Sequence, residues 1–187
     1  MGLIRWMRKK LDAESAVFLH VELEGVSGKL YASPMPFGPY DKFNQLLKRY
    51  RAEKVQFVIP LVTEDEIRRK GRKNLFDIYR DNGIQVLHFP IRDLTSPALQ
   101  DVRELIRTVA PYLRSGASVV VHCNAGTGRT GVIIACLAGA LLGMDGDHAI
   151  EYVETRFANQ ITESQRNVVR KFLADPQLPP GTTGRDG

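Results

Sequence analysis

Only two of the 187 residues are cysteine, Cys123 and Cys136, and only one is tryptophan. Two cysteines do not make a secreted disulfide framework. No apolar run reaches 18 residues, so no transmembrane helix is expected. Position 6 is Trp6 rather than Ser or Thr, so the myristoylation pattern fails. No long apolar stretch with a small-residue cleavage site follows the first basic residues, so no signal peptide is expected. A cytoplasmic location is the expectation.

Charge is also scarce in surplus: 26 Lys and Arg against 21 Asp and Glu give +5. That surplus is local. Arg5, Arg8, Lys9 and Lys10 stand at the N-terminus with no acid among the first ten residues. Arg68, Arg69, Lys70, Arg72 and Lys73 form a second cluster. Without the two, the rest of the chain is net acidic. This excludes a uniformly basic tail protein but allows a local anion site. Leu3, Ile4, Trp6, Met7 and Leu11 among the first cations could touch a membrane surface, though a soluble, frayed terminus is favoured. The 68–73 cluster reads as a solvated loop face, or as a patch that attracts anionic, multiply phosphorylated substrates.

What is present suffices for one domain with its own core, since 43% of residues are hydrophobic. We expect a basic segment over 1–14, a single domain over 15–174 and a disordered tail over 175–187, where DPQLPPGTTGRDG has little to bury. Residues 17–23, 29–33, 55–61, 84–89 and 118–122 read as strands. Helices are expected over 41–50, over 75–81 with Asn82-Gly83 as its end, over 96–114 with Ser96 as N-cap and Pro111 as a candidate kink, over 130–142, 149–157 and 163–173. Strands alternating with helices predict an α/β fold with a central, largely parallel sheet flanked by helices.

The informative segment is VVVHCNAGTGRTG, from Val119 to Gly131. A buried strand runs into a glycine-containing loop and then into an apolar helix. Loop and helix-start N–H groups converge there, which is the geometry of an anion site. Gly126-x-Gly128-x-x-Gly131 matches a dinucleotide fingerprint, but no strand with a terminal acid follows, so that reading fails. A Walker loop is absent.

Cys123 and Arg129, with Thr130, explain the segment better. Helix dipole and N–H donors favour the Cys123 thiolate, the nucleophilic form. The planar fork of Arg129 can hold two phosphate oxygens and stabilise charge in the transition state. Gly126 and Gly128 let backbone N–H groups approach the anion. With Asn124, Ala125 and Thr127 they form the candidate phosphate loop. Thr130 can hydrogen-bond the sulfur as it leaves, and His122 can orient the loop.

The run His122-Cys123-Asn124-Ala125-Gly126-Thr127-Gly128-Arg129-Thr130 resembles the HCxxGxxR[ST] signature of the protein tyrosine phosphatase superfamily. The chain's length resembles the compact dual-specificity branch, and residues 30–172 are loosely similar in layout to cyclin-dependent-kinase-inhibitor-3-type phosphatases. The resemblance implies a phosphoprotein phosphatase working through a phospho-cysteine, with phosphorylated protein as partner and no cofactor. His20, His88 and His148 show no ligand spacing together, so no metal is expected. It also implies a general acid on a loop about thirty residues before the nucleophile. Asp93, in FPIRD after a strand, occupies that position. Larger members place the hydrolytic water with the first Gln of a Gln-Thr-x-x-Gln segment. Here Ile161 stands where that Gln would be, and Gln160 is one residue early. Gln165 is therefore a candidate for water positioning, against an exposed helix residue.

Other reactive residues read as structural: Cys136 as a core residue, Asp101 as a first-turn acid, Asp145 and Asp147 as a helix start. Alternatives are an RNA 5′-phosphatase, a phosphoinositide phosphatase or a silent phospho-binding domain. The absence of Lys between Cys123 and Arg129 disfavours the phosphoinositide reading.

Overall fold

The computed structural model describes residues 18–157 and 160–175. The basic N-terminal segment, and the tail beyond Asp175, lie outside the described residues. Five strands form one sheet: β1 (Leu19–Val21), β2 (Lys29–Ser33), β3 (Phe57–Pro60), β4 (Gln85–Val86) and β5 (Ser118–His122). Their order is β1-β2-β5-β3-β4. Only β1 runs antiparallel, pairing Leu19 with Ala32; β2, β5, β3 and β4 are mutually parallel.

Val119, Val120 and Val121 explain why β5 is central. They are β-branched, they alternate between faces, and all three are fully buried. Val119 and Val121 enter one core and Val120 the other. A parallel strand covered on both faces reads as such a continuous apolar run.

One face is covered by α4 (Leu99–Arg114), α5 (Gly128–Leu142), α6 (Gly146–Glu154) and α7 (Glu163–Leu173). The other packs on α1 (Leu46–Ala52), α2 (Glu64–Lys70) and α3 (Leu75–Asp81). Helix α5 is buried from Arg129 to Leu141, as its apolar sequence requires. Among the described residues no helix is long and apolar enough to cross a membrane.

Several boundaries differ from expectation. α5 starts at Gly128 rather than Thr130, so the helix begins inside the loop. α4 starts after Ala98, with no side-chain cap, and runs through Pro111. α1 begins at Leu46, because residues 37–45 instead fold around the buried Asp41 carboxylate. That carboxylate accepts the N–H groups of Phe37 and Gln45, each at 2.9 Å. α6 runs from Gly146 rather than over 149–157, with Asp145 as its N-cap, accepting the His148 N–H at 2.9 Å. Asn82-Gly83 does end α3, and Gly83 takes the left-handed φ of 72° such an end requires.

The largest correction concerns the 68–73 cluster: Arg68, Arg69 and Lys70 close helix α2, and only Gly71, Arg72 and Lys73 lie beyond it. Thr63 and Glu66 form a reciprocal capping box: the Glu66 N–H donates to Thr63 Oγ1 at 3.2 Å, and the Thr63 N–H to Glu66 Oε2 at 3.1 Å. Three acids open the helix and three cations close it, complementing its dipole.

Candidate active site

The parallel strands β2, β3 and β5 end at one edge of the sheet. In such folds the crevice beyond the strand ends is where ligands bind. Cys123 follows β5 directly, and its sulfur receives the Gly126 N–H at 3.2 Å. Gly126 has φ of 83°, and a Cβ there would lie 2.8 Å from backbone atoms of Ser33 and Pro34. Both facts require glycine. The Met35 N–H donates to Asn124 O at 3.3 Å, tying the loop to the end of β2. Thr127 precedes α5 without capping it by its side chain, so the first N–H groups of the helix have no side-chain acceptor there.

Arg129 is the second residue of α5 and is 3% exposed. Its guanidinium holds Glu66 in a two-pronged pair, Nη1 to Oε2 and Nη2 to Oε1, both 2.8 Å. Nη1 also donates to Ile91 O at 2.8 Å, and Nη2 lies 3.1 Å from Asp93 Oδ1. Burial works against the charge of Glu66, but the Arg129 and Thr63 hydrogen bonds outweigh it and hold its pKa below the ordinary value. Burial likewise opposes the Arg129 cation, and Glu66, with the negative groups of Cys123 and Asp93, more than restores it.

His122 is fully buried, with Nε2 2.8 Å from the Tyr79 hydroxyl and Nδ1 3.2 Å from Cys123 O. Burial lowers its pKa to about 4, so the ring is neutral at pH 7. A carbonyl only accepts, so Nδ1 carries the proton and Nε2 accepts from Tyr79. An unfolded histidine titrates near 6.5. Between pH 6.5 and 4 the unfolded chain therefore binds the extra proton, and stability falls as pH falls. The expected loss is about 3 kcal/mol over that window. His148 runs oppositely, since its pairing with Asp145 raises its pKa and adds stability on the acid side. Denaturant midpoints measured from pH 7 to 4 should drop in the native protein, and His122→Gln should remove most of that slope. An equal slope in both would refute the assignment.

Asp93 is more than half exposed, on a loop anchored at three points. Arg129 holds Ile91 O; Gln165 Nε2 donates to Thr95 O at 2.8 Å; the Ser96 and Ser164 hydroxyls meet at 2.6 Å. Gln165 is 2% exposed, which overturns its reading as an exposed helix residue. Its Oε1 accepts the Thr162 N–H at 3.1 Å in a second capping box. Thr130 Oγ1 and Asn124 Oδ1 are buried without a partner among the described residues.

Cys123, Arg129, Asp93, Gln160 and Gln165 thus share one cavity of about 150 Å³, with Tyr40 and Leu94 at its rim. No residue of the basic cluster lines this cavity. Arg68 and Arg69 pair with Asp65, Arg72 lies 4.8 Å over the Phe37 ring, and Arg68 and Lys73 line a different cavity of about 290 Å³. Cys136 is a free, fully buried thiol whose pKa burial raises. Glu66, Tyr79 and Tyr40 were not singled out from sequence. A signal existed for Glu66, since Thr63-x-x-Glu66 is a capping-box pattern.

A parallel α/β sheet with this cysteine loop at its strand ends is the fold of the cysteine phosphatases. A solved structure of kinase associated phosphatase, with its catalytic-site cysteine replaced by serine, superposes with a TM-score of 0.73 at 22% identity, covering 83% of this chain and 92% of that one. PTPMT1 in complex with PI(5)P superposes with a TM-score of 0.67 at 19% identity, covering 84% and 94%. The chain belongs to the dual-specificity and tyrosine phosphatase family: the model described as "Polymorphic toxin system, DSP-PTPase phosphatase" matches residues 39–140. Cyclin-dependent kinase inhibitor 3 of Rattus norvegicus is 31% identical over 83 residues, 44% of this chain and 39% of that protein. Protein tyrosine phosphatase domain-containing protein 1 of Mus musculus is 34% identical over 103 residues, 54% of this chain and 14% of that protein. The chain therefore spans well under half the length of these two curated relatives.

Proposed function

We propose that this phosphatase hydrolyses phosphomonoesters of phosphoprotein, on tyrosine and on serine or threonine, through a phospho-cysteine at Cys123. The observation that carries the reading is the convergence of the Cys123 sulfur, the buried Arg129 guanidinium and the Asp93 carboxyl on one small cavity. In the first step the Cys123 thiolate attacks phosphorus and the ester P–O bond breaks. Asp93, protonated, gives its proton to the leaving oxygen. Arg129 and the N–H groups of residues 124–129 hold the equatorial oxygens. In the second step Asp93 takes a proton from water, the water oxygen attacks phosphorus and the P–S bond breaks. Inorganic phosphate and the thiolate result. Thr130, whose hydroxyl has no partner among the described residues, donates to the departing sulfur. Neutral His122 braces the Cys123 carbonyl. Gln165, with both ends of its amide engaged, fixes the Asp93 loop and borders the path of the water.

Arg129 is the only cationic residue lining the cavity among the described residues. That favours one phosphate on an apolar carrier over a polyphosphorylated headgroup, and the apolar rim of Tyr40 and Leu94 fits such a carrier. A cytoplasmic setting and a phosphatase domain over 15–174 complete the proposal.

The test is turnover of a chromogenic aryl phosphate with a chelator present. Hydrolysis should persist and vanadate should inhibit it; a strict metal requirement would refute the mechanism. Asp93→Asn should slow alkyl phosphates by about 10²-fold or more, and aryl phosphates with good leaving groups far less. Equal loss across leaving groups would remove Asp93 from the acid role.

A further inference from the structure

We propose that the open edge of β4, beside α4, is a docking groove in which an extended, basic segment of the phosphoprotein substrate adds a strand to the sheet. The inference rests on the phosphoprotein reading above. Among the described residues β4 is the last strand on its side. The N–H groups of Gln85, Leu87, Phe89 and Ile91 donate inward to Gln56, Val58, Pro60 and Leu61 at 2.8, 2.9, 3.1 and 3.0 Å. Strand alternation therefore turns the backbone groups of Val86 and His88 outward, where no described segment pairs with them. Pro90 has no N–H to leave unpaired.

A groove of about 740 Å³ lies between this edge and α4. It is separate from the Cys123 cavity. Leu87, Phe89 and Leu105 give it an apolar side. The His88 ring is turned elsewhere, its Nε2 2.9 Å from Val62 O and its ring against Phe76. A wall of free backbone donors and acceptors suits an extended chain better than a compact apolar ligand. Alternate side chains of such a strand would meet Leu87, Phe89 and Leu105.

The rim sets the charge of the partner. Asp101 and Glu104 on α4 are exposed; among the described residues the Glu104 carboxylate accepts the Gln100 amide at 3.2 Å and has no ion-pair partner, nor has Asp101. Among the described lining residues Arg92 is the one arginine or lysine. Lysine or arginine along the α4 side of the peptide would complete these carboxylates. The groove also touches the catalytic loop. Arg92 adjoins Asp93, and Thr95 and Ser96 line the groove while bonded to Gln165 and Ser164. A segment seated here leads its chain toward the Cys123 cavity.

The probe is a short acetylated peptide alternating valine with arginine, titrated into the ¹⁵N-labelled full chain. The amide signals of Val86 and His88 should shift, and their exchange with solvent should slow. Replacing the peptide's arginines by glutamate should weaken binding. Asp101→Lys combined with Glu104→Lys should weaken the arginine peptide about fivefold, with aryl phosphate turnover unchanged. Shifts confined to other regions, or equal binding of the acidic peptide, would overturn the proposal. So would a native dimer that His88→Pro dissociates, because the edge would then hold a second copy. The two readings fail separately: lost docking leaves aryl phosphate turnover intact, whereas a failed phosphatase reading leaves peptide shifts without turnover.

Discussion

Cys123→Ser should abolish hydrolysis of every phosphomonoester, with a loss of about 10⁴-fold or more. The substitution exchanges one atom at a site that is 3% exposed, so fold and melting temperature should hardly change. A serine hydroxyl at neutral pH is a far weaker nucleophile than a thiolate. The loop's N–H groups and Arg129 remain, so inorganic phosphate should still bind. Activity persisting in a folded Cys123→Ser protein would end the nucleophile assignment. Loss of activity together with loss of phosphate binding would point to collapse of the loop instead.

The second large effect belongs to Glu66→Ala. Arg129 and Glu66 are both buried, and removing one partner strands the other's charge. Such losses cost about 3–5 kcal/mol. Stability should fall accordingly in denaturant titrations. Turnover should fall about 10²-fold as well, because a guanidinium free to shift by an ångström misplaces the phosphate. Glu66→Gln keeps an acceptor for one N–H group and should recover part of both. The acid side follows the same logic: the depressed pKa of Glu66 means its stabilising contribution is present above its unfolded value and is lost as pH falls through the folded one. A Glu66→Ala protein with native stability and kinetics would show that Ile91 O and Asp93 suffice to place Arg129.

These two residues also show what the chain reveals when read linearly. Cys123 and Arg129 are legible because the loop's chemistry is local: strand, loop, glycines and helix start stand within thirteen consecutive residues. The parallel sheet was legible for a similar reason, since Val119–Val121 and the apolar part of 55–61 can only be covered strands. Glu66 was not. It sits in TEDEIRRKGRK, where it reads as one more solvated charge, and its partner lies 63 residues away. Long-range pairing turns that surface-like helix so that Glu66 and Ile67 face inward while its cations face out. Gln165 was half legible. Its position in the chain marked it, but its burial depends on Thr95, 70 residues earlier. Tyr79 is a buried core residue whose hydroxyl also donates to His122 Nε2, a pairing 43 residues apart that no local pattern announces.

The most direct test of the central claim is to find the phosphoryl group in transit. Asp93→Asn protein, mixed with an aryl phosphate and quenched in acid, should carry one phosphoryl group, located by mass spectrometry on the sulfur of Cys123. Steady turnover with no phosphorylated protein, or a phosphoryl group on any other residue, would contradict the account.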